Sequence, residues 1–150
     1  MRKIIFVCHG NICRSVAAEY IAKQIIKEEN IQDIEVISRA TSREEIGNDI
    51  YPPMKKALLR HGIEFSHHEA KQITQEDYEW ADEIYYMDRN NLNYLAYLVN
   101  NHKKIIYPIS KYSPDVREID DPWYTGEYDL VIKELKFCVQ NVIKFQKMIN

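Results

Sequence analysis

A cysteine, a Gly-Asn pair, a second cysteine and an Arg-Ser pair fall within eight residues, Cys8-His9-Gly10-Asn11-Ile12-Cys13-Arg14-Ser15, in a chain with only four glycines. A loop of five residues between a thiol and a guanidinium suits one chemistry well. Successive backbone N–H groups can turn inward as an anion nest. Gly10 and Asn11 are residue types that accept the positive φ a tight concave loop requires. Arg14 can grip two phosphate oxygens in a bidentate pair. A thiol at the start of such a nest lies in a positive field, which favours the thiolate, its nucleophilic form. The Ser15 hydroxyl can donate to that thiolate. Singly, Cys8 reads as a small core residue and Gly10-Asn11 as a turn. Together they form a loop that holds an anion and aims sulfur at it, and Arg14, beside the end of a buried strand, needs an anion partner.

Such a loop needs rigid elements on both sides. Lys3–Cys8 is a short continuous apolar run, the mark of a central parallel strand. From Ser15 to Glu29 the apolar residues Ala18, Ile21, Ala22, Ile25 and Ile26 recur at helical spacing, so the loop runs from strand 1 into helix 1, whose dipole adds to the nest. Ile34–Ser38, Glu83–Met87 and Lys103–Ile109 read as further strands. Helices are expected from Pro52 to His61 with Gly62 at the C-cap, over Ile73–Ala81 with Thr74 as N-cap, over Asn90–Val99, and from Tyr128 to Met148. The alternation predicts an α/β fold: a single domain over residues 1–150, with a four-stranded parallel sheet and helices on both faces. In such sheets ligands bind beyond the carboxyl ends of the strands, and Cys8 ends the first.

Bulk composition narrows the function. With 45% hydrophobic and 29% charged residues, the chain is an ordinary globular one. A net charge of -3 argues against general nucleic-acid binding. No apolar run suggests a membrane span or a secretory signal. Three cysteines, an odd number, make a disulfide framework a poor expectation and a reduced, cytoplasmic setting the better one. The histidines form no metal-ligand pattern, so no metal or other cofactor is expected. Expulsion of an alkoxide or phenoxide from phosphorus requires a general acid as well as the nucleophile.

CHGNICRS closely resembles the phosphate loop of the low-molecular-weight protein tyrosine phosphatases, C-x-G-N-x-C-R-S. The similarity runs through SRATSREEIG (Ser38–Gly47), RHGIEFSHHEAKQIT (Arg60–Thr74), MDRNNL (Met87–Leu92) and DDPWY (Asp120–Tyr124), nearly the whole chain. The resemblance implies hydrolysis of phosphotyrosine through a cysteinyl-phosphate. In that reading Cys8 is the nucleophile, the loop His9–Ser15 and the Arg14 guanidinium bind phosphate, and Asp121, aimed by Pro122, is the general acid and base. Its neighbour Asp120 is the alternative. Asn11, Ser38 and His68 resemble the hydrogen-bond network that holds the loop, although His68 also reads as a surface histidine. Cys13 matches a loop cysteine that can pair with the nucleophile on oxidation; as a packing residue it is equally well explained. Cys138 reads as inert.

Two departures touch the substrate slot. Trp123 and Tyr124 match one aromatic wall, but the place of the other holds Arg43, Glu44 or Glu45, and Glu44 is taken as the wall residue. An acidic residue there repels acidic peptides and suits basic flanks. Val16 stands where the family usually has Pro, and Lys71 where it more often has Arg. The implied partner is a phosphotyrosine-containing protein or a small aryl phosphate, with Tyr124 a residue that a tyrosine kinase could modify. Three rivals fit less well. A thioredoxin-coupled arsenate reductase needs two further cysteines, and none lies between Cys13 and Cys138. A protein arginine phosphatase carries a small Thr where this chain has Ile12. A non-catalytic phosphotyrosine-binding module would be expected to lose Cys8 or Asp121.

Overall fold

β1 (Arg2–Cys8) is buried from Ile4 onward and carries a parallel neighbour along each edge, which explains its unbroken apolar sequence. β2 (Ile34–Ala40) pairs with it from Arg2↔Ile34 to Cys8↔Ala40, and β3 (Glu83–Tyr86) from Ile4↔Glu83 to Val7↔Tyr86. β4 (Ile106–Pro108) pairs in parallel with β3, giving the order β2-β1-β3-β4 in this computed structural model, which describes residues 1–149. The order reverses at β1, so the crevice at a doubly wound sheet's switch point opens where β1 ends, at Cys8.

The period-two alternation of β1 sorts the core into two layers. Ile4, Phe6 and Cys8 share one apolar cluster with α1 (Arg14–Glu28), α2 (Pro52–Arg60) and a later long helix, Tyr128–Ile149. Ile5 and Val7 share the other with α3 (Gln75–Trp80) and α4 (Arg89–Leu98), through Tyr78, Leu95 and the neighbouring Val99. α5 is a single turn, Pro122–Thr125, so Tyr128–Ile149 is α6. No helix among the described residues is long and apolar enough to cross a membrane.

Element boundaries move for local reasons. β2 runs two residues past the expected Ser38, because the register with β1 carries pairing to Ala40 opposite Cys8. α1 starts at Arg14, one residue early. α3 starts only at Gln75, since Thr74 accepts from the Asp77 N–H and Asp77 accepts from the Thr74 N–H, a closed capping box. Lys103–Ile109 yields a strand of only three residues. Lys104 has φ 54°, and the Asn101 side chain takes the Ile105 N–H, so the chain is still turning there. A 3-10 turn over Ile109–Tyr112 and the turn α5 carried no periodic apolar signal and were not expected.

α6 seals the Phe6 layer, and its Leu135 is fully buried. Leu135→Ala should lower unfolding free energy by about 2–5 kcal/mol, the range for a large core residue cut to alanine. Urea unfolding of parent and variant measures this; a loss below about 1 kcal/mol would show a looser α6 interface.

Candidate active site

Between Cys8 and α1 the chain commits its carbonyls to the scaffold. The carbonyls of Cys8 and His9 accept from the Thr41 and Ser42 N–H groups at 2.9 and 3.0 Å, extending the β1–β2 ladder past the strand ends. The Asn11 carbonyl accepts from His68 Nε2 at 2.6 Å, and that of Ile12 from the Tyr51 N–H at 2.9 Å. The Asn11 N–H lies 3.3 Å from Cys8 Sγ. No protein acceptor among the described residues takes the N–H groups of His9, Gly10, Ile12, Cys13 or Arg14, and α1 has no side-chain cap. With carbonyls outward and N–H groups uncommitted, the loop is an anion nest at a helix N-terminus.

Its curvature is set by Asn11, not by both expected residues. Asn11 takes φ 60°, while Gly10 stays out of the left-handed region. Gly10 is small for another reason: a Cβ there would meet Glu45 Cγ at 3.3 Å. Asn11 is also the hub of a buried polar chain. Its amide nitrogen donates to Ser15 Oγ at 2.8 Å and Ser38 Oγ at 2.9 Å, and its Oδ1 accepts from the Lys71 N–H at 3.2 Å. Ser38 donates to Glu19, which pairs with Lys23. Ser15 Oγ lies 3.1 Å from Cys8 Sγ and can donate to it once the sulfur is ionised. Asn11 and Ser15, expected to hold phosphate, therefore keep their side chains behind the loop and off the cavity.

Above the loop lies a cavity of about 330 Å³. Cys8, Cys13 and Arg14 of the loop line it, together with Asp121, Trp123 and Tyr124 from α5 and its cap and Glu44 and Glu45 from the segment after β2. Residues more than a hundred positions apart thus meet as the sequence suggested. Ser38 and His68 stand behind the floor, in contact with Asn11, and His68 is half-buried there rather than a free surface residue. Asp120 lies outside this cavity and is exposed, leaving Asp121 as the carboxylate over the floor. Asp121 caps α5, its Oδ1 accepting from the Trp123 N–H at 3.0 Å while Oδ2 stands 3.6 Å from Arg14 Nη2. Trp123 in turn rests on Tyr51, ring centroids 4.8 Å apart.

Arg14 is buried, and the anion partner it needs is supplied within the protein. Nη1 donates to Asp88 Oδ2 at 2.6 Å and to the Ile119 carbonyl at 2.9 Å. Burial opposes its charge, but the Cys8 sulfur, Asp88 and Asp121 outweigh burial and hold the guanidinium above its ordinary value. The Nη2 side lies toward the cavity, where Asp121 is its ion-pair partner. Asp88 and Glu19 escaped the sequence reading. Asp88 stood in the MDRNNL stretch with no role of its own, and the structure also makes it the N-cap of α4. Glu19, one helical turn after Ser15, looked like an ordinary surface charge. Burial, then the Cys8 sulfur and Asp121, push the Cys13 thiol well up, and burial pushes Cys138 up to about 11, so neither is poised as a nucleophile.

Comparison with known proteins agrees with this geometry. The family model for low molecular weight phosphotyrosine protein phosphatase matches residues 3–148. The rat low molecular weight phosphotyrosine protein phosphatase is 36% identical over 136 residues, covering 87% of this chain and 85% of the relative. The Staphylococcus aureus low molecular weight protein-tyrosine-phosphatase PtpA is 32% identical over 152 residues, covering 96% of each. Among solved structures, YfkJ from Bacillus subtilis superposes with a TM-score of 0.92 at 29% identity, over 99% of this chain and 96% of that one.

Two outcomes test the site. Iodoacetamide at neutral pH should modify Cys8 and spare Cys13 and Cys138, with phosphate slowing the reaction, as read by peptide mass mapping; equal labelling of Cys13 would contradict the site's electrostatics. The second concerns Asp49, which braces the loop's support. Its carboxylate accepts from Lys55 Nζ and the N–H groups of Ile50 and His68, and the Lys55 bond foremost lowers its pKa from 3.8 to about 2. A depressed folded-state value means stability present above roughly pH 4 and lost as pH falls toward 2. Asp49→Asn should remove that increment, so the parent's advantage in urea unfolding should vanish across that window; a pH-independent difference would refute it.

Proposed function

The chain belongs to the low molecular weight phosphotyrosine protein phosphatase family, and from that premise we propose that Cys8, Arg14 and Asp121 hydrolyse phosphotyrosine in two steps. In the first, the Cys8 thiolate attacks phosphorus as the bond to the phenolic oxygen breaks. Asp121 gives its proton to that oxygen, and a cysteinyl-phosphate remains. In the second, Asp121 takes a proton from water, whose oxygen attacks phosphorus. The S–P bond breaks, returning the thiolate and releasing inorganic phosphate.

The loop N–H groups and the Nη2 side of Arg14, which also pairs with Asp121 at 3.6 Å, are placed to meet the equatorial phosphoryl oxygens, where charge must be matched in the transition state. The observation that carries this reading is the loop around Cys8 that commits the carbonyls of Cys8, His9, Asn11 and Ile12 to the scaffold, with the Asp121 carboxylate lining the same cavity. A reductase relay has less support, since Cys138, on α6, is buried in the core.

The substrate is a phosphotyrosine-containing protein or a small aryl phosphate. The slot beside Trp123 and Tyr124 supports this, because it opens directly above Cys8. Tyr124, 85% exposed, is accessible to a tyrosine kinase. A cytoplasmic setting suits an enzyme whose nucleophile must stay reduced; all three cysteines are unpaired.

Release of phosphate from a phosphotyrosine peptide tests the mechanism. Cys8→Ser should fall to background while still binding the peptide. Asp121→Asn should lose about 10²–10⁴ in kcat, the usual range for a general acid. Full activity in Cys8→Ser would overturn it.

A further inference from the structure

The cavity over Cys8 has two unlike sets of lining side chains. Trp123 and Tyr124 are aromatic and exposed, and Glu44 and Glu45 line the same cavity. Both carboxylates are held in place. Glu44 Oε2 is 2.7 Å from His9 Nε2, and Glu45 Oε2 accepts from Asn48 Nδ2 at 2.6 Å. His9 belongs to the phosphate loop and packs beside Tyr94, ring centroids 6.3 Å apart. The Glu44 carboxylate is therefore hooked to the edge of the floor itself. A second cleft, of about 520 Å³, opens from the same mouth and shares His9, Arg14, Asp121 and Tyr124 with the first. Glu118 and Asp120 line its outer part, opposed by Arg89.

We propose that the Glu44 carboxylate, hooked by His9, makes this active site select its phosphotyrosine substrates by charge, favouring lysine or arginine beside the phosphotyrosine over aspartate or glutamate. The inference rests on the phosphatase reading above. A phosphotyrosyl phosphorus must reach Cys8 at the cavity floor, so its ring fills the slot. The chain on either side then crosses the rim, where Glu44, Glu45, Asp120 and Glu118 outnumber the cationic candidates, the Arg89 guanidinium and the His9 ring that holds Glu44. Arg14 adds little out there, since it is buried and matched by Asp88 and Asp121. Arg43 and Lys71 line neither cavity. Exposed charge pairs are individually weak, so selection comes from attracting one class of peptide and repelling the other.

Matched phosphotyrosine peptides differing only in lysine or glutamate flanks test this, with p-nitrophenyl phosphate as a flank-free reference. The lysine-flanked peptide should win in kcat/KM by about three- to tenfold at low salt. That advantage should shrink to about twofold or less in Glu44→Gln, and in about 1 M salt, where the screening length is near 3 Å. Hydrolysis of p-nitrophenyl phosphate with no preference between peptides, or the same preference in Glu44→Gln, would overturn the charge selection alone. Failure to hydrolyse p-nitrophenyl phosphate would overturn the phosphatase reading, and the inference with it.

Discussion

Everything at this site depends on keeping several backbone N–H groups of one short loop without a protein acceptor. Buried amide groups are nearly always paired, because leaving one unpaired costs about 1–3 kcal/mol. The chain meets that constraint by opening the loop to a cavity and by holding four of its carbonyls elsewhere. Thr41, Ser42, Tyr51 and His68 each take one. Remove those acceptor assignments and the loop has a lower-energy option, which is to close on itself as an ordinary turn. The anion nest is thus less a property of the eight residues that form it than of β2, α2 and the 66–71 segment that refuse it that escape.

Asn11 concentrates the same constraint in one side chain. Its left-handed backbone bends the loop, and its amide group joins Ser15, Ser38 and the Lys71 backbone in a buried chain ending at Glu19. Because Ser15 Oγ already accepts from Asn11, its own hydrogen is free for the Cys8 sulfur. Fully satisfied buried networks of this kind favour one geometry over many. The loop's shape and the nucleophile's hydrogen bonding are accordingly fixed by a single set of contacts.

The sequence showed this site more clearly than it showed the frame around it. The floor was legible because loop chemistry is local: Cys8, Arg14 and the glycine lie within a few residues, between a continuous apolar run and a helical one. Asp121 was legible through the resemblance and through Pro122; its capping of α5 is a second role that the structure adds. Asp88 and Glu19 were not legible as partners of the site. Each pairs with a residue whose nearness comes from tertiary packing, and an N-cap or a helix-surface carboxylate has the same local appearance whatever it faces. The brevity of β4 was hidden likewise, since Asn101 consumes a backbone donor that an apolar run alone assigns to the sheet.

Floor and rim are under different physical control. The floor is buried, and its one guanidinium is shared between two carboxylates. Arg14 sits against Asp88 and Asp121, so burying a guanidinium does not leave it uncompensated, and removing either carboxylate would unbalance the other two. Such a cluster tolerates little change. The rim is solvated: Glu44 and Trp123 are exposed and hang on one or two contacts each, Glu44 on His9 and Trp123 on Tyr51. Surface charges of that kind can be exchanged at small cost to folding. Reaction type and substrate preference therefore reside in separate parts of one cavity, and the residue linking them is His9, whose backbone belongs to the nest while its ring holds the rim.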